Sequence, residues 1–145
     1  SIEHNGGTFG FRSTIIYLPK EDVFVVVLSN QTYNAPDYVS AKMAAIAINK
    51  PYPEIDTNKV NTEPAFLQKI AGTYEFDDGS VIIISEENNK LYSQRPNGSK
   101  SIIYSIEKNR FYFLNSFSSL TFDVNKEPSV IYKNRIYKSK GVKVK

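Results

Sequence analysis

Val81-Ile-Ile-Ile-Ser-Glu86, followed by Glu87-Asn-Asn89 and then Lys90-Leu-Tyr-Ser-Gln-Arg95, has the pattern of a strand, a turn and a second strand. Short runs of β-branched and aromatic residues favour strands, and Asn, Asp, Gly or Pro between them favours tight turns. Six further runs of this kind lie in the same half of the chain: Thr73–Phe76, Ser101–Ile106, Arg110–Phe113, Leu120–Val124, Ser129–Lys133 and Arg135–Ser139. About eight strands joined by tight turns predict an up-and-down antiparallel barrel or meander.

Residues 66–145 are therefore predicted to form a small barrel domain. A short helical run, Phe66–Ile70, precedes the first strand and ends at Gly72. A barrel of this size can be filled by its own side chains, and it can also hold one small ligand. Its aromatic residues are interpreted as core or cross-strand packing rather than a ligand cage. They include Tyr74, Tyr92, Tyr104, Phe111 and Tyr112.

The first 50 residues carry a different pattern. Thr14–Leu18 and Val23–Leu28 flank Pro19-Lys-Glu-Asp22, a turn sequence, so they are predicted to form a hairpin. The second run is apolar without alternation, which is typical of a strand that is covered on both faces within a larger sheet.

A helix is predicted after the hairpin, because Asn34 can cap it, Pro36 suits its first turn and Asp37 favours its N-terminal dipole. Its apolar stripe consists of Val39, Met43, Ile46 and Ala47. A hairpin and one helix cannot bury these apolar faces alone. We therefore expect a partner on residues 1–50, either a missing part of the same protein or a second copy of the chain in a homo-oligomer.

Residues 51–65 contain three prolines and no periodicity, so they are predicted to be a linker. The chain begins at Ser1 rather than Met, and we expect it to be the back end of a larger protein.

Composition narrows the function. The chain has no Cys and a single His, so we expect no disulfide, no metal site and no cofactor. It has no apolar run long enough for a transmembrane segment.

The charge is uneven, since residues 1–89 have six Lys or Arg against twelve Asp or Glu, and residues 90–145 have twelve against three. We interpret the excess lysines as a coating on strands and tail, and we expect no nucleic-acid partner, because the aromatic residues alternate with polar ones as core positions do. Binding to a nucleic acid or an anionic surface through the basic half is the less favoured alternative.

The single histidine lies in Glu3-His-Asn-Gly-Gly-Thr-Phe-Gly-Phe11. With the hairpin that ends Val26-Val-Leu-Ser-Asn30, this stretch resembles the C-terminal part of the serine β-lactamase/penicillin-binding-protein-like family, in its class C-type esterase and D-aminopeptidase branch. The third active-site motif of that branch often reads His-x-Gly, which here is His4-Asn5-Gly6. As a bare pattern, a histidine before two glycines is also typical of a turn.

The resemblance implies a role for each motif residue. His4 takes the place of the family's lysine and contributes a polar or positive group to the pocket. Asn5 and Gly6 lie against the substrate, and the backbone N–H of Gly7 is one oxyanion donor in acyl transfer. The glycines allow close approach of the substrate because they have no Cβ.

The second half resembles the lipocalin-like barrel that is appended to many of these proteins, with Leu67…Gly72-Thr-Tyr74 as its opening motif. The fold is thus expected to be α+β: the hairpin and helix that end a β-lactamase-like domain (1–50), a Pro-rich linker (51–65) and an eight-stranded lipocalin-like barrel (66–145).

One departure limits the expected activity. The family's nucleophile lies in a helical Ser-x-x-Lys, and no Ser here is followed by Lys at that spacing in a helix-forming context; neither Tyr33 nor Tyr38 begins a Tyr-x-Asn. We therefore expect the chain alone to be inactive.

The resemblance implies that the intact parent hydrolyses an ester, amide or β-lactam through an acyl-enzyme, outside the cytoplasm. Its N-terminal catalytic portion is then the main partner of this chain. The alternative is a non-catalytic barrel that binds a small ligand or serves as a scaffold.

Overall fold

The computed structural model describes residues 1–31, 36–52, 56, 62–125 and 127–145. The chain divides into two compact units, Ser1–Glu54 and Ile55–Lys145. Each has its own sheet, and the chain is mostly β.

The first unit contains a three-stranded antiparallel sheet and one helix. Strands β1 (Ile2–Thr8), β2 (Phe11–Leu18) and β3 (Val23–Ser29) lie in the order β1-β2-β3, and helix α1 spans Pro36–Ala47. The predicted hairpin and the predicted helix are both present. Asn34, the expected cap of the helix, lies outside the described residues.

Helix α1 packs on β2 and β3 through its smallest side chains. Its buried residues are Pro36, Ser40, Ala41, Ala44 and Ala45. They cover Thr14, Ile16 and Val25, which are buried on one face of the sheet. Because small residues allow a helix to approach a sheet closely, the larger stripe of Val39, Met43 and Ile46 points away and is exposed.

The opposite face of this sheet is apolar and exposed. Residues that are paired in antiparallel register share a face, so Ile15 with Val26 and Tyr17 with Phe24 lie together. Their exposed neighbours on that face are Ile2, Phe11 and Leu28, and Leu28 is 78% exposed. We call the set Ile2, Phe11, Ile15, Phe24, Val26 and Leu28 the apolar sheet face.

The second unit is a closed eight-stranded antiparallel barrel that is preceded by helix α2 (Pro64–Ile70). Each strand pairs with the next along the chain, and the last pairs with the first, so the predicted up-and-down barrel is confirmed. The strands are β4 (Gly72–Phe76), β5 (Val81–Glu87), β6 (Lys90–Gln94), β7 (Ser101–Glu107), β8 (Arg110–Phe113), β9 (Ser119–Asp123), β10 (Ser129–Lys133) and β11 (Lys138–Lys143).

The last strand starts later than the sequence pattern predicts. Arg135–Tyr137, which we expected to open it, belongs to a turn, and β11 runs on to Lys143. Asn134 explains the shift, because its side-chain Oδ1 accepts hydrogen bonds from the backbone N–H groups of Ile136 (3.0 Å) and Tyr137 (2.7 Å). An Asn that bonds the backbone two and three residues ahead turns the chain before the strand can begin.

Aromatic rings fill the barrel interior. Tyr74, Phe111 and Phe122 are at most 1% exposed, and Phe122 meets each of the other two edge to face at 5.7 Å between ring centroids. Tyr92, Tyr104 and Tyr112, in contrast, are half-buried on the outside of β6, β7 and β8. The expectation of packing roles therefore holds for Tyr74 and Phe111 in the core, and Tyr104 lies directly opposite Tyr112 as a cross-strand pair.

Helix α2 packs into the end of the barrel where β4 begins. Its Leu67 and Ile70 belong to the barrel core, and the hydroxyl of Tyr74 donates a 2.8 Å hydrogen bond to the carbonyl of Ile70. Gly72 joins the two elements at φ 150°, and a Cβ there would collide with the Lys143 side chain and the Lys145 carbonyl. The Lys143 ammonium donates to the carbonyl of Lys69 at 3.1 Å, and a cation at a helix C-terminus is stabilising.

The remaining sequence predictions concern residues 51–65. Most of the predicted linker lies outside the described residues, and its last two residues, Pro64 and Ala65, form the first turn of α2. Neither described helix is long and apolar enough to cross a membrane.

Candidate functional site

The four residues of the His-x-Gly-Gly motif lie on β1, at the edge of the three-stranded sheet. All four are exposed. The turn that connects β1 to β2 is only two residues long, Phe9 and Gly10, and Gly10 has a φ of 81° that favours glycine. This turn fixes the register: His4 lies opposite Ile15, and Gly7 lies opposite Arg12.

Strand alternation divides the motif between two faces. His4 and Gly6 share the face of Ile15, which is the apolar sheet face. Asn5 and Gly7 lie on the other face, where α1 covers β2 and β3. The structure therefore places His4 and Asn5 side by side in sequence but on opposite sides of one strand. Only the backbone of β1 is common to both.

The histidine has no polar partner among the described residues. Its cross-strand neighbour is Ile15, and the diagonal neighbour on the same face is Ser13, which lies opposite Gly6. A Cβ at Gly6 would be 2.7 Å from the Ser13 hydroxyl oxygen, so that hydroxyl lies directly over the glycine backbone. Because Gly6 has no side chain, the Ser13 hydroxyl can lie against the strand two residues after His4.

Gly7 has a cation across from it. Arg12 is its register partner, is exposed and shares its face. An arginine on the same face as this glycine is a suitable partner for a negatively charged oxygen, because a guanidinium presents several donors in a fixed, planar arrangement. Asn5, two residues earlier on the same face, adds an amide that can both donate and accept.

Thr14 has a fully buried hydroxyl without a hydrogen-bond partner among the described residues. It is 1% exposed, lies opposite Asn5, and its hydroxyl has no partner. An unsatisfied buried hydroxyl costs roughly 1–3 kcal/mol. The Thr14 hydroxyl, opposite the motif residue Asn5, is therefore a polar group that forms no hydrogen bond within the described residues.

Two patterns in the barrel have the spacing of the family's other motifs, and the structure gives both of them different roles. Ser105-Ile-Glu-Lys108 ends a strand rather than forming a helix, and its Ser105 hydroxyl accepts from Thr62 (2.8 Å) and donates to the Glu107 carbonyl (3.0 Å). Tyr132-Lys-Asn134 lies at the opposite end of the barrel, where Asn134 forms the turn described above. These residues do not assemble a nucleophile and its base.

The described part of the chain thus contains donors and a cation but no activated nucleophile. It also contains no group of three or more His, Cys, Asp or Glu that could hold a metal ion.

Sequence reasoning missed Arg12, Ser13 and Thr14 as neighbours of the motif. The signal was available in Phe9-Gly10, because a two-residue turn containing Gly favours a hairpin and fixes which residues face each other. If residues 2–8 had been assigned as a strand, Arg12 and Ser13 would have followed from the register.

Comparison with known proteins finds distant structural similarity. No family model and no curated protein matches this sequence. Among solved structures, the octameric penicillin-binding protein homologue from Pyrococcus abyssi is similar over 95% of this chain, with 18% sequence identity and a TM-score of 0.38. This chain spans 32% of the length of that protein. A likeness this loose supports no argument about function.

Proposed function

We propose that the chain is the C-terminal portion of a serine hydrolase of the β-lactamase/penicillin-binding-protein-like type, and that β1 is one wall of its active site. The observation that supports this most is the placement of the motif. His4, Asn5, Gly6 and Gly7 lie on an exposed edge strand that is backed by β2 and by α1.

An edge strand with two consecutive glycines suits acyl transfer for a physical reason. Its outer side has no hydrogen-bonded strand among the described residues, so its backbone is available to an extended substrate. The N–H of Gly7 would serve as an oxyanion donor, with the charge of Arg12 nearby, and His4 would contribute to the pocket from the other face. The substrate of the parent would be an ester, an amide or a β-lactam.

The nucleophile and its base must then come from the N-terminal portion of the parent. That portion would also cover the apolar sheet face, since Ile2, Phe24 and Leu28 are each more than 60% exposed in this chain. An exposed apolar face this large favours association. In its absence we expect a second copy of the chain to cover the face, which sedimentation velocity of the isolated chain would detect as a concentration-dependent dimer or larger oligomer.

The experiment joins the chain to the coding sequence that precedes it and measures hydrolysis of a p-nitrophenyl ester. We expect the parent to be active, His4→Ala to reduce kcat/KM by about 10²-fold or more, and the isolated chain to be inactive. Thr8→Ala is the matched control, because Thr8 lies on the same face of the same strand outside the motif. Equal losses in both variants, or turnover by the isolated chain well above that of its own His4→Ala variant, would contradict the proposal.

The barrel is proposed to be lipocalin-like and accessory. The eight-stranded up-and-down order and the preceding helix support this. The alternative is a non-catalytic barrel that binds a small ligand or serves as a scaffold. The contacts of Phe122 with Tyr74 and Phe111 in the interior favour the scaffold form. Location outside the cytoplasm is proposed from the family resemblance.

A further inference from the structure

At one end of the barrel, which we call the rim, an exposed isoleucine in an ordered turn lies among basic residues. The tip is the turn Asn134–Tyr137 between β10 and β11, and Ile136 at its apex is 96% exposed. The two hydrogen bonds to Asn134 Oδ1 and a third from the N–H of Asn134 to the carbonyl of Tyr137 (2.9 Å) hold the turn closed. A large aliphatic side chain is thus presented to solvent by an ordered turn.

The strands that lead into this turn are basic. The stretch from Lys133 to Lys140 contains four Lys or Arg and no acidic residue. Lys133 and Lys138 are register partners on the outer surface, and neither forms a salt bridge with a described residue. Like charges directly opposite each other destabilise a strand pair, so this arrangement has a cost that the barrel itself does not offset.

Side-chain contacts join the tip to the neighbouring turns. The Arg135 guanidinium lies over the ring of Phe117 at 5.4 Å, and the Tyr137 hydroxyl donates a 2.9 Å hydrogen bond to Asp78 Oδ2. Asp78 also accepts from the N–H of Ser80 at 2.9 Å. It and the exposed Asp77, whose N–H donates to the carbonyl of Lys140 at 3.2 Å, are the acidic residues of this turn, against the four basic residues of the stretch from Lys133 to Lys140. The turn that holds Phe117 also holds Leu114, which is 57% exposed and at the same end of the barrel.

We propose that this rim binds the surface of an anionic lipid bilayer. Ile136 and Leu114 enter the boundary between headgroups and acyl chains, while Lys133, Arg135, Lys138 and Lys140 lie against the lipid phosphates. This is peripheral binding by side chains at the surface. It depends on the barrel alone and does not require the proposed hydrolase function.

The chemistry of the tip favours a bilayer over a nucleic acid. Binding to single-stranded nucleic acid uses exposed aromatic faces on which bases stack. The apex residue here is aliphatic, and the nearest tyrosine ring, Tyr137, is tilted against Tyr132 at 6.3 Å and hydrogen-bonded to Asp78. An isoleucine gains free energy from entering an apolar phase and gains little from a base edge.

The test is flotation of the full chain with vesicles of phosphatidylglycerol and phosphatidylcholine, compared with pure phosphatidylcholine. We expect binding to the anionic vesicles only, weakened by added salt. Lys133→Gln and Lys138→Gln should each weaken binding roughly fivefold. Ile136→Ser should weaken it about tenfold, and Ile136→Leu should restore it.

Two controls separate the rim from other parts of the chain. Lys108→Gln removes a charge from the turn between β7 and β8 at the opposite end of the barrel, and it should leave binding unchanged. Binding to neutral vesicles, or binding that Ile136→Ser does not alter, would assign the interaction to the apolar sheet face and overturn the proposal. Binding to single-stranded RNA but not to vesicles would overturn it in favour of a nucleic acid.

Discussion

Replacing Tyr74 by Phe would measure how firmly the barrel is tied to the helix that precedes it. The Tyr74 ring is 0% exposed, and its hydroxyl donates to the carbonyl of Ile70 at 2.8 Å. That carbonyl belongs to the last residue of α2, where no intrahelical partner exists. A hydrogen bond of this kind contributes about 1 kcal/mol net, so the variant should be less stable by that amount at pH 8.

The same substitution should reverse its effect in alkali. Burial raises the pKa of Tyr74 to about 12. In the unfolded chain the phenol titrates near 10, so the folded state retains the proton over a range where the unfolded state loses it. Stability from this group is complete below about pH 10, and linkage predicts a loss of about 1 kcal/mol by about pH 11 and about 2 kcal/mol by about pH 12. The Tyr74→Phe variant has no such loss, so the two stability curves should cross near about pH 11.

Urea unfolding, followed by far-UV circular dichroism from about pH 8 to about pH 12, would give both curves. The other nine tyrosines and all the lysines are common to both proteins, and their titration cancels in the difference. Parallel curves would refute the reasoning, because they would mean that the Tyr74 hydroxyl titrates alike in the folded and unfolded states.

Three other predictions concern single positions. Gly141→Ala should destabilise the barrel by roughly 1–3 kcal/mol, because a Cβ at position 141 would be 3.1 Å from the ring of Phe76. Thermal unfolding would measure this loss of stability. Adding Phe76→Leu should recover part of it. Thr14→Val should leave the free energy of unfolding in urea unchanged or raise it by about 1 kcal/mol, since the hydroxyl that it removes is buried without a hydrogen-bond partner. A clear decrease in the free energy of unfolding would mean that the hydroxyl does form a hydrogen bond. Hydrogen bonds from Ser80 and Tyr137 lower the pKa of Asp78, so its charged form stabilises the folded state at neutral pH, and this contribution is lost as acid protonates the carboxylate. Tyr137→Phe should raise the pKa of Asp78, which an NMR titration would measure. An unchanged pKa would contradict the role assigned to the Tyr137 hydroxyl.

The sequence was sufficient for the barrel because its strands are short, regular and separated by turn residues. Arg110–Phe113 and Ser129–Lys133 begin and end where the pattern places them. The last strand was misplaced since Arg135-Ile-Tyr137 has strand propensity, and the hydrogen bonds of Asn134 override it. Strand propensity contributes less than a side chain that accepts hydrogen bonds from the backbone N–H groups and so stabilises a turn instead.

The first unit was harder to predict because its packing depends on small residues. Ala41, Ala44 and Ala45 carry little hydrophobic signal, yet they form the contact between α1 and the sheet, and the more hydrophobic Val39 and Met43 face away. The placement of His4 and Asn5 on opposite faces of β1 was also not predicted. A motif read as a string does not show on which side of a strand each residue lies, whereas alternation does once the strand is assigned.

The closure of the barrel brings its two chain ends together. Thr73 donates to the carbonyl of Lys145 and accepts from the N–H of Val144, both at 2.8 Å, so the start and finish of the domain are hydrogen-bonded neighbours. Such a domain can be circularly permuted: a short linker from Lys145 to the start of α2, with new termini in the turn at Pro96–Gly98, would keep all eight strand pairings. It can also be inserted into a host loop through these two ends, and the rim around Ile136, at the far end of the barrel from that junction, then stays accessible.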